Sequence, residues 1–252
     1  MSTHLHANLI HRPRAAAARP AHARGFTLIE CAIGMLLLSM LLSTLLVPLT
    51  AQVEQRKISD TQNALNQIAD ALMGYAMSNG YLPCPDRSSG ANANDGVEDL
   101  NPGATNCAVT EGNLPWATLG ITGTDTWGNF FRYRAAATFT DRASPFRLTS
   151  SGNITVQCPA AACGNLALYT TSAPAIVLSH GRNGYGAVNS ISRAPNPPPA
   201  GADELANSDG NAAFVSRSLS AAGAAAGEYD DLVTWLSTAV LLNKMITAQK
   251  LP

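Results

Sequence analysis

The sequence predicts an α+β protein in which one long N-terminal helix precedes a globular region of short strands. Apolar residues recur at near-helical spacing over residues 53–77 and continue an uncharged apolar run at 31–51. Short stretches rich in β-branched and aromatic residues follow from residue 130, separated by turn residues. Because helical and strand patterns occupy separate parts of the chain, we expect an α+β fold, not a βαβ array.

The N-terminal apolar run is long enough to cross a bilayer. It holds 21 residues without a charge, and as a helix it would rise ~30 Å, about the hydrocarbon thickness of a membrane. The 25 residues before Phe26 contain four arginines and no acid (Arg12, Arg14, Arg19 and Arg24). This asymmetry predicts a single-pass protein with a cytoplasmic N-terminus and its bulk across the membrane.

We expect one helix over residues 26–78, transmembrane at about 26–51 and amphipathic beyond. Pro48 should kink or locally melt this helix, and Asn79-Gly80 should end it. Residues 79–252 then form one modest globular head. A long loop is predicted at 79–115, strands at 130–137, 146–150, 154–157 and 175–179, a proline-rich loop at 194–202, and an amphipathic helix at 231–249.

The junction before the apolar run reads Arg24-Gly25-Phe26-Thr27-Leu28-Ile29-Glu30. A lone carboxylate at the mouth of an apolar segment is costly and indicates a function. An ordinary cleaved signal peptide has a shorter apolar region without an acid. A lipoprotein needs small residues before its cysteine, where this chain has Ile29-Glu30. A plain signal anchor fits the length and charge but leaves Gly25 and Glu30 unexplained.

This junction resembles the processing site of type IV pilins and type II secretion pseudopilins. The resemblance implies that a prepilin peptidase cuts between Gly25 and Phe26, removes residues 1–25 and N-methylates Phe26. Glu30 then lies one helical turn from the new ammonium, and it could pair with that group on a neighbouring subunit. The alternative is that Glu30 only reaches the membrane interface. The implied fold is pilin-like: a long helix on a small antiparallel sheet, with a C-terminal helix.

Segments of the head resemble the major pseudopilin. The stretch from Asp125 to Tyr133 is similar to its Asp-x-Trp-Gly-Asn-x-x-x-Tyr signature, in which a turn would place Trp127 against the helix. Residues 179–186 and 230–235 resemble two segments that border a calcium loop. This implies calcium ligands at Asn183, Asp230 and Asp231. The alternative is a tight turn at 181–186, with Asp230 and Asp231 capping the last helix.

Four cysteines of the head fall into two sequence-local pairs, Cys84 with Cys107 and Cys158 with Cys163. In an oxidising compartment they predict two disulfides, although four cysteines allow three connectivities. Zinc is the rival interpretation, but no histidine lies near either pair. Cys31, in the apolar run, is expected to be inert.

The charge balance argues against nucleic acid as the main ligand. The chain has a net charge of −1, and removal of the leader leaves 12 basic and 17 acidic residues, a net charge of −5. Arg132 and Arg134 form a local basic cluster, which we interpret as a solvated face. Capture of DNA or a surface ligand by the head stays an alternative function.

Catalysis is not expected. Four of the five histidines lie in the leader (His4, His6, His11 and His22), which leaves little for acid–base chemistry. Adjacent Ser179 and His180 invite a nucleophile–base interpretation, but neighbouring residues rarely present their side chains to each other, and no nucleophile elbow is present.

The sequence therefore predicts a structural subunit of a type IV pilus-like or type II secretion pseudopilus filament. Its expected partners are prepilin peptidase, other subunits and an inner-membrane assembly platform, and its head would lie in the periplasm or on an extracellular filament. Extra loop sequence at 81–115 and 186–228 favours a minor or divergent subunit. A membrane-anchored protein that is never processed is the remaining hypothesis.

Overall fold

The computed structural model describes residues 25–90 and 92–251, without the side chains of 43–49. The leader arginines and histidines lie outside the described residues. The chain divides into two compact units, Met1–Thr50 and Ala51–Pro252.

Helix α1 spans Leu28–Asn79, and Gly80 follows it with a φ of 88°. The helix assignment is continuous at position 48, so the helix does not melt there, and the other predicted effect of Pro48, a kink, stays a prediction. In the first unit the large apolar side chains described for 26–42 are exposed, for example Phe26 at 85% and Leu28 at 90%.

Within the described residues, no helix combines the length and the apolarity that a membrane span requires. The span predicted at about 26–51 includes residues 43–49, whose side chains lie outside the described part.

The second unit contains two sheets. Strands β1 (Glu111–Asn113), β2 (Arg132–Ala135), β5 (Ala175–Ser179) and β7 (Leu232–Trp235) form an antiparallel sheet in the order β1-β2-β5-β7. Strands β3 (Ile154–Cys158), β4 (Ala167–Ala173) and β6 (Ala213–Val215) form a smaller sheet in the order β4-β3-β6, in which β3 and β6 are parallel. The predicted single antiparallel sheet is therefore incomplete.

Short helices lie between the strands: α2 (Trp116–Leu119), α3 (Ala137–Thr140), α4 (Ala160–Cys163) and α5 (Ala202–Ala206). Helix α6 (Thr238–Thr247) follows strand β7.

Strand β5 is buried along its whole length because both of its faces are covered. Val177 packs in a core with Leu65, Ile68 and Leu72 of α1. Ile176 and Leu178 join a second core with Ile154, Val156 and Phe214 of the smaller sheet. Successive strand side chains point to opposite faces, so β5 lies between α1 and the smaller sheet.

Two predicted elements are wrong. Residues 146–150 form a turn, in which the Arg147 amide donates to Ser150 Oγ (2.8 Å), while Phe146 packs on Phe139 with ring centroids 4.8 Å apart. The helix predicted at 231–249 begins only at Thr238, because Leu232–Trp235 pairs with β5 as strand β7.

Candidate functional sites

The N-terminal junction places the predicted cleavage bond immediately before a helix cap. Gly25 and Phe26 are exposed and precede α1. The Thr27 amide and hydroxyl both donate to Glu30 Oε2 (2.8 Å each), and the Glu30 amide donates to Thr27 Oγ1 (3.3 Å). This is a reciprocal capping box. The Thr-x-x-Glu spacing was the available sequence signal for it.

Three carboxylates meet in the head and form what we term the carboxylate cluster: Glu204, Asp230 and Asp231. One oxygen from each lies within 4.8 Å of the others. Glu204 comes from α5, and the two aspartates directly precede β7. Glu204 and Asp231 are each only 2% exposed, whereas Asp230 is half-buried.

Asn183 donates hydrogen bonds to two of these carboxylates, Asp230 and Glu204. Its backbone amide donates to Asp230 Oδ2 (2.7 Å), and its Nδ2 donates to Glu204 Oε1 (3.2 Å). Its own Oδ1 accepts from the Tyr185 amide (2.9 Å). The structure thus places Asn183 as a donor to the cluster, while its side-chain oxygen accepts one hydrogen bond from the Tyr185 amide.

The electrostatics of the cluster favour a cation. Burial raises the pKa of Asp230 to about 7, and the charges of Glu204 and Asp231 add to this effect. Burial and the charge of Asp231 also raise the pKa of Glu204. The buried Oδ1 atoms of Asp230 and Asp231 accept no hydrogen bond from the described residues. Oxygen donors of this kind fit a hard divalent cation such as calcium.

The structure therefore brings together the three residues predicted for calcium and adds Glu204, which the sequence analysis missed. The only sequence signal for it was the acidic pair Asp203-Glu204, directly after the predicted proline-rich loop at 194–202. The alternative role for Asp230 and Asp231 as a cap of the last helix is wrong, because they lead into β7 and not into α6.

The Asp-x-Trp-Gly-Asn segment forms a tight turn organised by Asp125. The amides of Trp127 and Asn129 donate to Asp125 Oδ1 (3.0 and 2.9 Å), and Gly128 has a φ of 86°. Trp127 packs against the core that contains α1. The turn thus contacts the helix as predicted from the motif.

Ser179 and His180 do not form a nucleophile–base pair. The Ser179 hydroxyl donates to Asp125 Oδ2 at 2.6 Å. His180 is fully buried, and its Nδ1 lies 3.5 Å from Asp231 Oδ1. The two side chains are thus directed to different carboxylates.

Two disulfides are present, Cys84–Cys107 and Cys158–Cys163. Cys31 is a free, exposed cysteine.

The arginine cluster is not a solvated face, and that prediction is wrong. Arg132 and Arg134 both pair with Glu111, Arg134 at 2.7 Å. Arg132 Nη2 also donates to the Ser208 carbonyl (3.2 Å), and Arg134 Nη1 to the Gly210 carbonyl (2.9 Å). The side chains of Arg132 and Arg134 are only 22% and 13% exposed, and their guanidinium groups are bound to partners within the protein.

Comparison with known proteins assigns the N-terminal segment. The profile of the prokaryotic N-terminal methylation motif matches residues 20–46. No curated protein and no solved structure shows significant similarity to the chain.

The molecule is thus an α+β protein with a long N-terminal helix. Its N-terminal segment is a prepilin-type motif, the motif of the type IV pilin and pseudopilin family.

Proposed function

We propose that this chain is a structural subunit of a type IV pilus-like or pseudopilus filament, made as a precursor. Residues 1–25 would be removed, residues 26–51 would anchor the chain in the inner membrane before assembly, and residues 79–252 would form the head. The observation that carries this proposal is the methylation motif at 20–46, with exposed apolar side chains over 26–42. Such side chains need a lipid or helix-bundle environment.

The mass of the mature chain tests the processing step. We expect an N-terminus at Phe26 that carries one methyl group. A side chain at Gly25 meets nothing within 4 Å, and the same holds for Gly34. A leucine at either position should therefore leave the fold undisturbed. Gly25→Leu should block cleavage, because Gly25 directly precedes the proposed cut, whereas the matched variant Gly34→Leu should be cleaved. An intact leader on the wild-type protein would refute the proposal and favour an unprocessed anchor.

Glu30 is proposed to pair with the Phe26 ammonium during assembly, and the capping box provides a way to isolate its charge. Glutamine at the third helical position can keep the capping bonds, whereas alanine loses them. Glu30→Gln and Glu30→Ala should both be cleaved, and both should fail to assemble if the charge matters. Normal filaments from Glu30→Gln would instead assign the role of Glu30 to helix capping.

We further propose that the carboxylate cluster binds calcium, with Glu204, Asp230 and Asp231 as ligands and Asn183 holding them in place. Calcium supplies a charge that offsets the mutual repulsion of these carboxylates. Calorimetric titration of the full mature chain tests the site directly. Glu204→Gln should lose most of the binding, while Asp70→Asn, at an exposed position of α1, should retain it. Equal calcium affinity of both variants would refute the proposal that the carboxylate cluster binds calcium.

The proposed role as a minor or divergent subunit rests on the long insertion between residues 186 and 228. This insertion contains α5 and β6 and supplies Glu204. DNA capture by the head has less support, because Arg132 and Arg134 are engaged by Glu111.

A further inference from the structure

A continuous line of contacts runs from the carboxylate cluster to helix α1, and we call it the polar strip. Its members are buried or half-buried except for the exposed Thr126. Its members are Asp230, Gly181, Ser179, Asp125, Thr126 and Thr61. The strip joins two motifs that are far apart in sequence, the Asp125–Asn129 turn and the segment before β7.

The first step of the strip is a close backbone approach. Gly181 has a φ of +59°, and a Cβ atom there would overlap the carbonyl oxygen of Asp230. The Asn183 amide donates to Asp230 Oδ2 at 2.7 Å. Because the 181–183 turn lies directly on Asp230, a displacement of Asp230 must displace this turn as well.

The second step passes through Ser179, which is fully buried. Its Oγ accepts from the Gly181 amide (3.1 Å) and donates to Asp125 Oδ2 (2.6 Å). Asp125 uses its other oxygen to hold the amides of Trp127 and Asn129. A single hydroxyl thus connects the turn beside the cluster to the carboxylate that organises the tryptophan turn.

The last step reaches α1. Thr126 Oγ1 donates to the Lys57 carbonyl (3.1 Å), and it lies 2.8 Å from Thr61 Oγ1. Because the Thr126 proton is directed to Lys57, the Thr61 hydroxyl is the donor in that pair. Thr61 is fully buried, so this bond fixes the turn on the helix.

We propose that a divalent cation in the carboxylate cluster stabilises the contact between the Asp125–Asn129 turn and α1, with Ser179 as the positioning residue that connects them. Repulsion between the carboxylates disfavours this arrangement when no cation is bound, and a cation would hold Asp230, and the turn that lies on it, in one geometry. Linkage makes the effect reciprocal, so firm docking of the turn on α1 raises cation affinity. The proposal rests on the cation site proposed above.

The carboxylate cluster also contains buried oxygens that lack a hydrogen-bond donor within the described part of the chain. Asp231 is 2% exposed, and its Oδ1 accepts no hydrogen bond from the described residues, with His180 Nδ1 3.5 Å away. The buried Oδ1 of Asp230 also accepts no hydrogen bond from them. The imidazole at 3.5 Å is too distant for a good hydrogen bond, and a cation bound between the carboxylates would satisfy these oxygens.

Amide hydrogen exchange of the full mature chain, with and without calcium chloride, tests the coupling. In the wild type, calcium should slow exchange at Asn183 beside the cluster, and at Trp127 and Asn129, by about fivefold or more. In Ser179→Ala, calcium should still slow exchange at Asn183, while its effect on Trp127 and Asn129 is lost.

Ser190→Ala is the matched control. Ser190 Oγ donates to the Gly128 carbonyl (2.7 Å), so this variant removes one hydrogen bond from the same turn and leaves the polar strip intact. The calcium effect on Trp127 and Asn129 should therefore persist. If Ser179→Ala does not fold, Thr126→Val interrupts the strip at an exposed position. Calcium should slow exchange at the amides of both Trp127 and Thr61 in the wild type, but only at Trp127 in Thr126→Val. An unchanged calcium effect at Thr61 in this variant would overturn the coupling.

The outcomes separate the two proposals. If calcium slows exchange at none of these amides, the cation site itself is wrong. If calcium protects Asn183 but not Trp127 in the wild type, the site stands and the coupling is overturned. Equal protection of Trp127 in wild type and Ser179→Ala would also overturn it, because the β5–β7 ladder would then carry the effect.

Discussion

Calcium binding to the carboxylate cluster should release protons, because a ligand carboxylate must be ionised to bind. Burial raises the pKa of Asp230 to about 7 in the cation-free protein. At pH 7 this group is half protonated, so binding should release about half a proton. The release should approach one proton per calcium at pH 6 and vanish near pH 9.

The same protonation sets the pH dependence of affinity. Below pH 7, calcium competes with the proton on Asp230, and affinity should fall about tenfold per pH unit. The raised pKa of Glu204 makes the fall steeper at lower pH. Both features have one cause, the burial of like-charged carboxylates.

Titration calorimetry at pH 7 in buffers of different ionisation enthalpy measures the released protons directly. The observed heat should depend on the buffer for the wild type. Asp230→Asn should bind more weakly, and most of its buffer dependence should disappear. A heat that does not vary with the buffer, or an unchanged proton release in Asp230→Asn, would refute the electrostatic reasoning.

Three further predictions concern stability. The folded-state pKa of Asp230, and that of Asp86 at about 6, lie above the usual range. The stability that these two carboxyl groups contribute is thus fully present below about pH 4 and is lost as the pH rises through 6–7. Without calcium, Tm should fall over that pH range, and a rising Tm would contradict this reasoning. Leu72→Ala in the core should lower the unfolding free energy by about 2–5 kcal/mol in urea, against ~0.5 kcal/mol or less for the exposed control Val53→Ala. Removing the Cys84–Cys107 disulfide by double serine substitution should cost about 3 kcal/mol, and removing Cys158–Cys163 about 2 kcal/mol, because sequence separations of 23 and 5 close loops of different size; the reverse order would contradict the loop-entropy account.

Strand β5 was predictable from its sequence, whereas β7 was not. The run Ala-Ile-Val-Leu-Ser is short and apolar throughout, which is the pattern of a strand covered on both faces. The segment before Thr238 shares its apolar spacing with the helix that follows, so periodicity alone extended α6 backwards over β7. Hydrogen bonding to β5 overrides this local pattern.

The charge pattern of the sequence led to a wrong prediction for Arg132 and Arg134, which were expected on a solvated face. Arg132 and Arg134 are two positions apart on β2 and therefore lie on the same face of the sheet. Both reach Glu111 of β1 only because the two strands pair with Glu111 opposite Arg134. The register of a sheet is a long-range property, so the charge pattern of one strand does not show whether its cations are free.

The sequence by itself determined the prepilin-type junction, since Gly25, Phe26, Thr27 and Glu30 lie within residues 25–30 and their chemistry depends on local spacing alone. It also placed Asn183, Asp230 and Asp231 in one candidate site by resemblance. Only the tertiary structure added Glu204, which lies 26 residues before Asp230, and only it connected that site through Ser179 to Asp125 and α1. Local patterns report on neighbours along a helix or turn, whereas a buried carboxylate cluster and a shared hydroxyl exist only once distant segments have packed together.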